Sequence, residues 1–398
     1  MGKVHFEGCH TTDSIWLKSL LETEVGATFH SETYESDLQR LRNLNLFFSV
    51  QGEWVVLEDN SIDVRIDIEE AIYVYPELYF GGFKGAFKMN LGLSTINWRG
   101  RGAQLGALYQ YYDRHSFSIF QSTSRHLNGR TGHEIAIAKY ATIEPLYFDR
   151  LRSNFNYDVY NVNAGVHYWL NYYTRWRIGG AYFYEIYNNR QNDIPGFPKG
   201  KLFSFNKAQI YTALVLDYRN YSYETIDGFF LNMYSEYVLD FQYSQYSFYK
   251  VVLDYRYFKL FGKYIQFASR LKFGMATNRN TPFLPFVIDG YLNIRGVGNR
   301  IRRGTAELTG NLEYRRRIYR HPLFILQMNI FSDVTVIRDP GQQVYEMFNP
   351  DQLYARAGLG GRLILQKWYS TILRVDYSHS LQQPDKWGLL AFGIGQFF

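Results

Sequence analysis

From Ile72 to the C-terminus the chain repeats one pattern. Runs of about ten residues alternate apolar and polar side chains and are broken by Gly, Asn, Asp and Pro. A period of two marks strands with two unlike faces. In YTALVLDYR, Leu214, Leu216 and Tyr218 oppose Asp217 and Arg219; in VVLDYRYF, Leu253, Tyr255 and Tyr257 oppose Asp254 and Arg256. FILQMNIFSD sets Leu326, Met328 and Ile330 against Gln327, Asn329 and Asp333, and LRVDYSHS sets Leu373, Val375 and Tyr377 against Arg374, Asp376 and Ser378. A soluble sandwich would bury the apolar faces in a shared core. Charge recurring on strand after strand instead suits the inverse arrangement, an apolar wall facing lipid around a wet lumen. Aromatic residues near strand ends (Tyr109, Tyr111, Tyr112; Tyr172, Tyr173, Trp176; Tyr182, Tyr184, Tyr187) fit interfacial girdles. No stretch approaches 18 uncharged apolar residues, which excludes a transmembrane helix. A strand-built wall must close on itself, because an open edge would leave unpaired backbone groups in lipid. At about 20 residues per strand and connection, residues 72–398 supply about 16 antiparallel strands.

The first 70 residues are different. They carry 5 Lys/Arg against 14 Asp/Glu, whereas the rest carries 38 against 23. That shift divides the chain into residues 1–71 and 72–398. Residues 3–7 alternate as a strand closed by Gly8. TTDSIWLKSLLETEVG reads as a helix capped by Thr12 or Asp13 and stopped by Gly26, and SETYESDLQRLRNLN as a second helix. Two strands follow, FFSVQGEWVVLE and SIDVRIDIEE, turning at Glu58-Asp59-Asn60. The order is β-α-α-β-β.

Several chemistries find no footing. Cys9 is the single cysteine, so there is no disulfide framework and no cysteine zinc site, and the nine His are scattered without metal-ligand spacing. His133-Glu134 lacks a second His four residues on, Gly81-Gly82…Gly85 is not followed by a phosphate-loop helix, and no Gly-x-Ser-x-Gly occurs. No enzyme and no cofactor are expected. The basic clusters Arg300, Arg302, Arg303 and Arg315–Arg317 suit a lumen or lipid phosphates better than nucleic acid, which is not an expected partner. Met1-Gly2-Lys3 opens without an apolar leader, the expectation for a chain that stays inside or for a mature or trimmed form.

The N-terminal segment resembles a POTRA domain over residues 3–70: a strand ending in Gly (VHFEGC), a capped helix, Gly26-x-x-Phe29, a Leu-rich second helix, then LFFSV and a strand closing in Glu-Glu. Further on, Ile294-Arg295-Gly296-Val297 is followed by Gly304, Asn311-Leu312-Glu313-Tyr314-Arg315 and Phe331-Ser332-Asp333. This series resembles the Omp85 superfamily, with its (V/I)RG(F/Y) tip on an inward-folded loop, then G…N-x-E-x-R and F-x-D-x-G. Asn97-Trp98-Arg99-Gly100-Arg101-Gly102 is similar to the family's N-x-x-G-x-G. Two positions depart, Val297 for an aromatic and Val334-Thr335 for the glycine after Asp333, and both are expected to loosen the loop. The C-terminus WGLLAFGIGQFF resembles an outer-membrane terminal strand, with Phe392, Ile394 and Phe398 on one face and Gln396 where an aromatic is usual.

The resemblance implies a bacterial outer-membrane barrel with its POTRA domain in the periplasm. Counted back from a periplasmic C-terminus, strands fall at about 387–398, 369–379, 354–366, 323–336, 306–318 and 264–275, and the Arg295 tip lies on the long external loop between the last two. Arg295, with Gly296 allowing a tight turn, is expected to bind Glu313 and Asp333 and pin that loop to the inner wall. The seam should join the first strand, about 74–82, to the last, weakened by Gly81, Gly82, Gly393 and Gly395, with Phe398 beside it. The implied work is inserting or translocating proteins, with clients added by strand pairing at the seam or at the POTRA edge. The implied partners are outer-membrane lipid and lipopolysaccharide, unfolded or secreted client proteins, and accessory outer-membrane or periplasmic subunits. Two alternatives stay open: the barrel-and-POTRA carrier of a patatin-like autotransporter, and a structural or accessory barrel without client traffic. A soluble glycan-binding β-protein is the remaining one.

Overall fold

The computed structural model describes residues 1–81, 87–148, 151–191, 193–194, 196–222, 224–278, 284–298, 302–365, 371–382 and 388–398. The N-terminal unit is β1 (Val4–Glu7), α1 (Ser14–Lys18), α2 (Ser31–Asn43), β2 (Phe47–Val56) and β3 (Ile62–Glu70). Its sheet has the order β1-β3-β2, with β1 parallel and β2 antiparallel to β3. Trp16, Leu17, Tyr34, Leu38, Leu41 and Ile66 form the core between sheet and helices. Asp13 caps α1, its Oδ1 accepting from the N–H groups of Ile15 (2.9 Å) and Trp16 (3.3 Å). The helix is shorter than its apolar stripe predicts. Buried Asp37 of α2 takes the N–H groups of Glu22 (3.0 Å) and Thr23 (2.8 Å), which holds the chain after Leu21 in a non-helical path.

The remaining strands are β4 (Val74–Gly81), β5 (Lys88–Trp98), β6 (Ala103–Tyr112), β7 (Arg114–Thr123), β8 (Thr131–Phe148), β9 (Leu151–Trp169), β10 (Thr174–Asn189), β11 (Leu202–Asp217), β12 (Asn220–Ser222), β13 (Thr225–Asp240), β14 (Phe248–Phe261), β15 (Ile265–Ala276), β16 (Phe286–Ile288), β17 (Arg302–Gly304), β18 (Ala306–Arg320), β19 (Phe324–Arg338), β20 (Leu353–Leu365), β21 (Ile372–Ser380) and β22 (Leu389–Ile394). All but β12, β16 and β17 are wall strands, and these sixteen close into one antiparallel barrel. β12 is a short addition beside β13, and β16 pairs with β17 inside the long loop between β15 and β18. The wall is inside-out, as the alternation predicts. Met328 and Ile330 are 53% and 60% exposed, while Gln327, Asn329 and Asp333 are buried in the lumen. Among the described residues no helix is long and apolar enough to cross a membrane.

The aromatic girdle is only partly where the sequence suggests. Trp176, Tyr182 and Tyr184 point outward, but Tyr112 and Tyr187 are buried in the lumen. Tyr172 instead caps the POTRA domain, its hydroxyl donating to the Arg40 carbonyl at 2.8 Å.

The Asn97–Gly102 motif proves to be the turn that receives that domain. The Asn97 Oδ1 accepts from the N–H of Gly102 (2.8 Å) and its Nδ2 donates to the Thr12 hydroxyl (2.9 Å). The N–H of Asp13 donates to the Gly100 carbonyl (2.9 Å), Arg101 pairs with Asp13 (3.0 Å), and the Trp16 indole donates to the Arg125 carbonyl (3.1 Å). The POTRA domain is therefore seated against one mouth of the barrel.

Candidate functional site

The loop between β15 and β18 enters the lumen, and Arg295 lies at its tip, 1% exposed. Its backbone N–H and Nε both donate to Asp333 Oδ2 (3.0 and 2.9 Å), Nη2 donates to Oδ1 (2.9 Å), and Nη1 donates to Glu313 Oε2 (3.0 Å). The guanidinium lies over the Phe331 ring, 3.6 Å from its centroid. This planar fork uses bidentate geometry that an ammonium group cannot reproduce. Gly296 follows at φ 70°, and a Cβ there would collide with the Ser378 hydroxyl, which donates to the Arg295 carbonyl at 3.1 Å. Asn311 closes the arrangement, donating to the Asn293 carbonyl (2.9 Å) and to Asp333 (2.8 Å). The loop is thus docked with Val297 in the usual aromatic position; Ile294, fully buried, packs with Phe286 and Ile288 beside it.

The ionic cluster is larger than the motifs disclose. Glu313 also receives Arg362 (2.8 Å) and Arg315 (3.2 Å), and Asp376 receives Arg362 (2.9 Å) and Arg374 (3.6 Å). Four strands, β18 to β21, and the loop are held by one network of charges facing a water-poor interior, where each partner stabilises its neighbours. Arg374 and Asp376 were visible as the polar face of LRVDYSHS. Arg362 was not singled out, although its place between outward-facing residues of LGGRLIL is the same signal.

The seam joins β4 to β22 at only two register positions among the described residues, Phe80 with Phe392 and Tyr79 with Gly393. By contrast β21 pairs with β22 at six positions and β10 with β11 at fifteen. The cause lies in the chain's last residues. Gly395, at φ 90°, turns the backbone out of the wall, and Phe397 and Phe398 bury themselves in the lumen against Phe258, Arg295 and Arg374. The expectation that Phe398 shares a face with Phe392 and Ile394 is therefore corrected: the strand ends at Ile394, and periodicity does not continue through the kink. Among the described residues, residues 74–78 of β4 have no strand partner on that edge. Pro76, with no N–H to leave unpaired, suits an edge position. Gly81 pairs with Lys88 of β5 rather than across the seam, and Gly82 lies outside the described residues. The 366–368 turn and Arg300 also lie outside them.

A closed sixteen-stranded barrel with an apolar exterior, an inward loop clamped by an arginine and a domain seated at one mouth defines an outer-membrane barrel of the protein-transport type. Residues 97–398 match the Omp85 superfamily domain and residues 1–71 match POTRA, described as surface antigen variable number repeat. The chain belongs to the Omp85 superfamily, whose members are outer-membrane proteins that insert or translocate proteins. Solved structures with the same fold include BamA from Haemophilus ducreyi lacking POTRA domains 1–3 (14% identity, TM-score 0.58, covering 99% of this chain and 84% of that one). CdiB from Escherichia coli is similar at 11% identity and TM-score 0.67 (99% and 76% covered), and CdiB from Acinetobacter baumannii at 14% and 0.61 (99% and 73%). No curated protein matches the chain.

Proposed function

We propose that the chain moves client polypeptides through the β4/β22 seam, with the POTRA domain on the periplasmic side and the Arg295 cluster keeping the barrel rigid while the seam parts. The two-position seam carries this reading. Edge residues 74–78 offer unsatisfied backbone groups to an incoming strand, which is the chemistry of β-augmentation. The strands flanking the seam are also short: β4 has 8 residues and β22 has 6, against 18 and 19 in β8 and β9. A short wall is matched by a locally thin bilayer, which lowers the cost of inserting a new strand. The work is non-covalent. Clients meet exposed strand edges, and the buried arginines serve geometry.

The test uses the opposed pair Tyr79 and Gly393. A Tyr79→Cys/Gly393→Cys variant reconstituted in vesicles is assayed for the rate at which a urea-unfolded eight-stranded outer-membrane barrel folds into the bilayer. Acceleration is expected with the thiols reduced and its loss after oxidation. Equal rates in both states would refute a role for seam opening.

A further inference from the structure

A cavity of about 710 Å³ lies between the POTRA domain and the adjoining lumen. On one side it touches residues 43–46, where α2 hands over to β2. On the other it reaches Pro76–Tyr79 of β4 and Ile394–Gly395 at the end of β22, so it joins the POTRA domain to the open part of the seam. Arg125, Arg175, Arg177 and Arg219 line it. Two of these are paired: Arg177 donates to both oxygens of Glu134 (2.7 and 2.9 Å), and Arg219 to both oxygens of Asp217 (2.7 Å each).

The other two face no carboxylate at ion-pair distance among the described residues. Arg125 donates to the carbonyls of Gly129 (3.0 Å) and Tyr172 (2.7 Å) and lies 3.7 Å from the Trp169 ring centroid. Arg175 lies 5.3 Å from the same ring, and its buried Nε has no hydrogen-bond partner. Burial pushes the Arg125 guanidinium down to about 10, Arg175 and Arg40 add to the push, and Tyr172 opposes it. Two guanidinium groups thus share an aromatic-walled recess whose carboxylates Glu134 and Asp217 lie beyond ion-pair distance of them and are already held by Arg177 and Arg219, while Glu77 accepts from the Ser94 hydroxyl. Such a recess attracts an oxyanion, since a fixed charge gains most from a partner where water is scarce.

The lining side chains face the lumen, so a bilayer lipid does not reach them. The seam end of the cavity is a strand edge of β4, and a chain pairing with a strand edge is extended, with alternate side chains on opposite faces. Trp169 and Tyr172 offer flat apolar surface to one set of these side chains. We propose that Arg125 and Arg175 receive a carboxylate side chain of an extended client segment as it passes from the POTRA domain to the seam. This rests on the client traffic proposed above and adds a chemical preference to it.

The test uses the full chain in detergent micelles and two fluorescein-labelled octapeptides alternating Tyr and Ser, identical except for a central Glu or Gln. Fluorescence anisotropy is expected to show the Glu peptide binding about tenfold tighter, the size of one charge-assisted contact. The preference is expected to disappear in Arg175→Gln and to persist in part in Arg175→Lys, with heat-modifiable gel mobility confirming that each barrel is folded. Equal binding of the two peptides, or a preference surviving Arg175→Gln, overturns the proposal. So does displacement by inorganic phosphate as effective as displacement by unlabelled Glu peptide, which would mark a free-anion site. The vesicle assay separates this from the seam reading. If the disulfide between positions 79 and 393 stops folding while the peptides bind alike, the carboxylate site falls and the seam stands.

Discussion

The backbone carbonyl of Phe398 lies 3.5 Å from Nη2 of Arg315, both inside the lumen. The Phe398 ring covers the same guanidinium, 5.6 Å from its centroid, and packs with Phe258 and Phe397. The kink at Gly395 thus delivers an aromatic side chain to a buried arginine, and cation and ring gain from meeting away from water. Phe398→Ala removes the ring and should cost about 3 kcal/mol. The temperature at which the heat-modifiable band is lost in detergent should fall by several degrees. Tyr345→Ala, at a side chain 74% exposed in the loop after β19, should leave it unchanged. Equal effects of the two substitutions would mean that the Phe398 ring contributes nothing.

Arg295 makes a sharper case because its partners are themselves buried. Arg295→Ala leaves Asp333 with only Asn311 among its side-chain donors and should cost about 3–5 kcal/mol. Arg295→Lys should recover little, since an ammonium group cannot occupy both Asp333 oxygens and Glu313 at once. A double variant, Arg295→Leu with Asp333→Leu, should be less destabilised than the sum of the two singles, because neither charge is then stranded. Urea denaturation of the detergent-refolded barrel measures all five variants. Additive losses would show that the two residues act independently.

These contacts were unequally legible in the sequence. The wall, its approximate strand count and its inside-out sense follow from period two alone, because each strand's alternation is set by its own neighbours. The spans read for the six strands from 264 to 398 agree with the structure within a few residues, except at the C-terminus. There Ile394 and Phe398 hold the same phase of the alternation, and nothing local shows that Gly395 leaves the wall; the site that takes Phe397 and Phe398, built from Phe258, Ala268 and lumen arginines, is assembled by long-range pairing. Arg295, Glu313 and Asp333 stood out through their motifs, whereas Arg362 did not, since one arginine among many lumen-facing polar residues carries no mark of the carboxylate it will meet. Trp16 likewise read only as one residue of the first helix, although its indole N–H reaches the turn between β7 and β8.

The seat of the POTRA domain depends on backbone that only glycine tolerates. Gly100 has φ 70°, and a Cβ there would collide with the Thr11 carbonyl. Gly196 has φ 82° with open space around it. Alanine at either position bears the left-handed backbone penalty of about 1 kcal/mol, but only Gly100→Ala should also displace residues 11–13. Hydrogen exchange at Thr11–Trp16 should accelerate in Gly100→Ala and stay at the wild-type rate in Gly196→Ala. Equal protection in the two variants would place the docking energy elsewhere.

Acid should loosen the same seat. The Glu70 carboxylate accepts from the backbone N–H groups of His10 (3.2 Å), Thr11 (2.9 Å) and Thr12 (2.7 Å), fixing the segment that meets Asn97 and Gly100. Burial pushes the Glu70 carboxyl up, but the Thr11 and Thr12 hydrogen bonds outweigh it and hold the group below the usual carboxylate range. Burial likewise opposes the charge on Asp13, and the hydrogen bonds from Ile15, Trp16 and Arg101 overcome it. A carboxyl depressed in the folded state stabilises that state above its unfolded value, ~4.3 for Glu and ~3.9 for Asp, and this contribution is lost as pH falls through the folded value. Cys9, the single cysteine, reports on this segment. Burial and the Glu70 charge hold its thiol up to about 11, so a disulfide reagent that reacts in acid is required. Labelling of Cys9 by a dithiodipyridine, corrected for reagent reactivity, should be slow at neutral pH and rise below about pH 4. Glu70→Gln should label at neutral pH as the wild type does in acid. A pH-independent rate in the wild type would show that neither carboxylate anchors the domain.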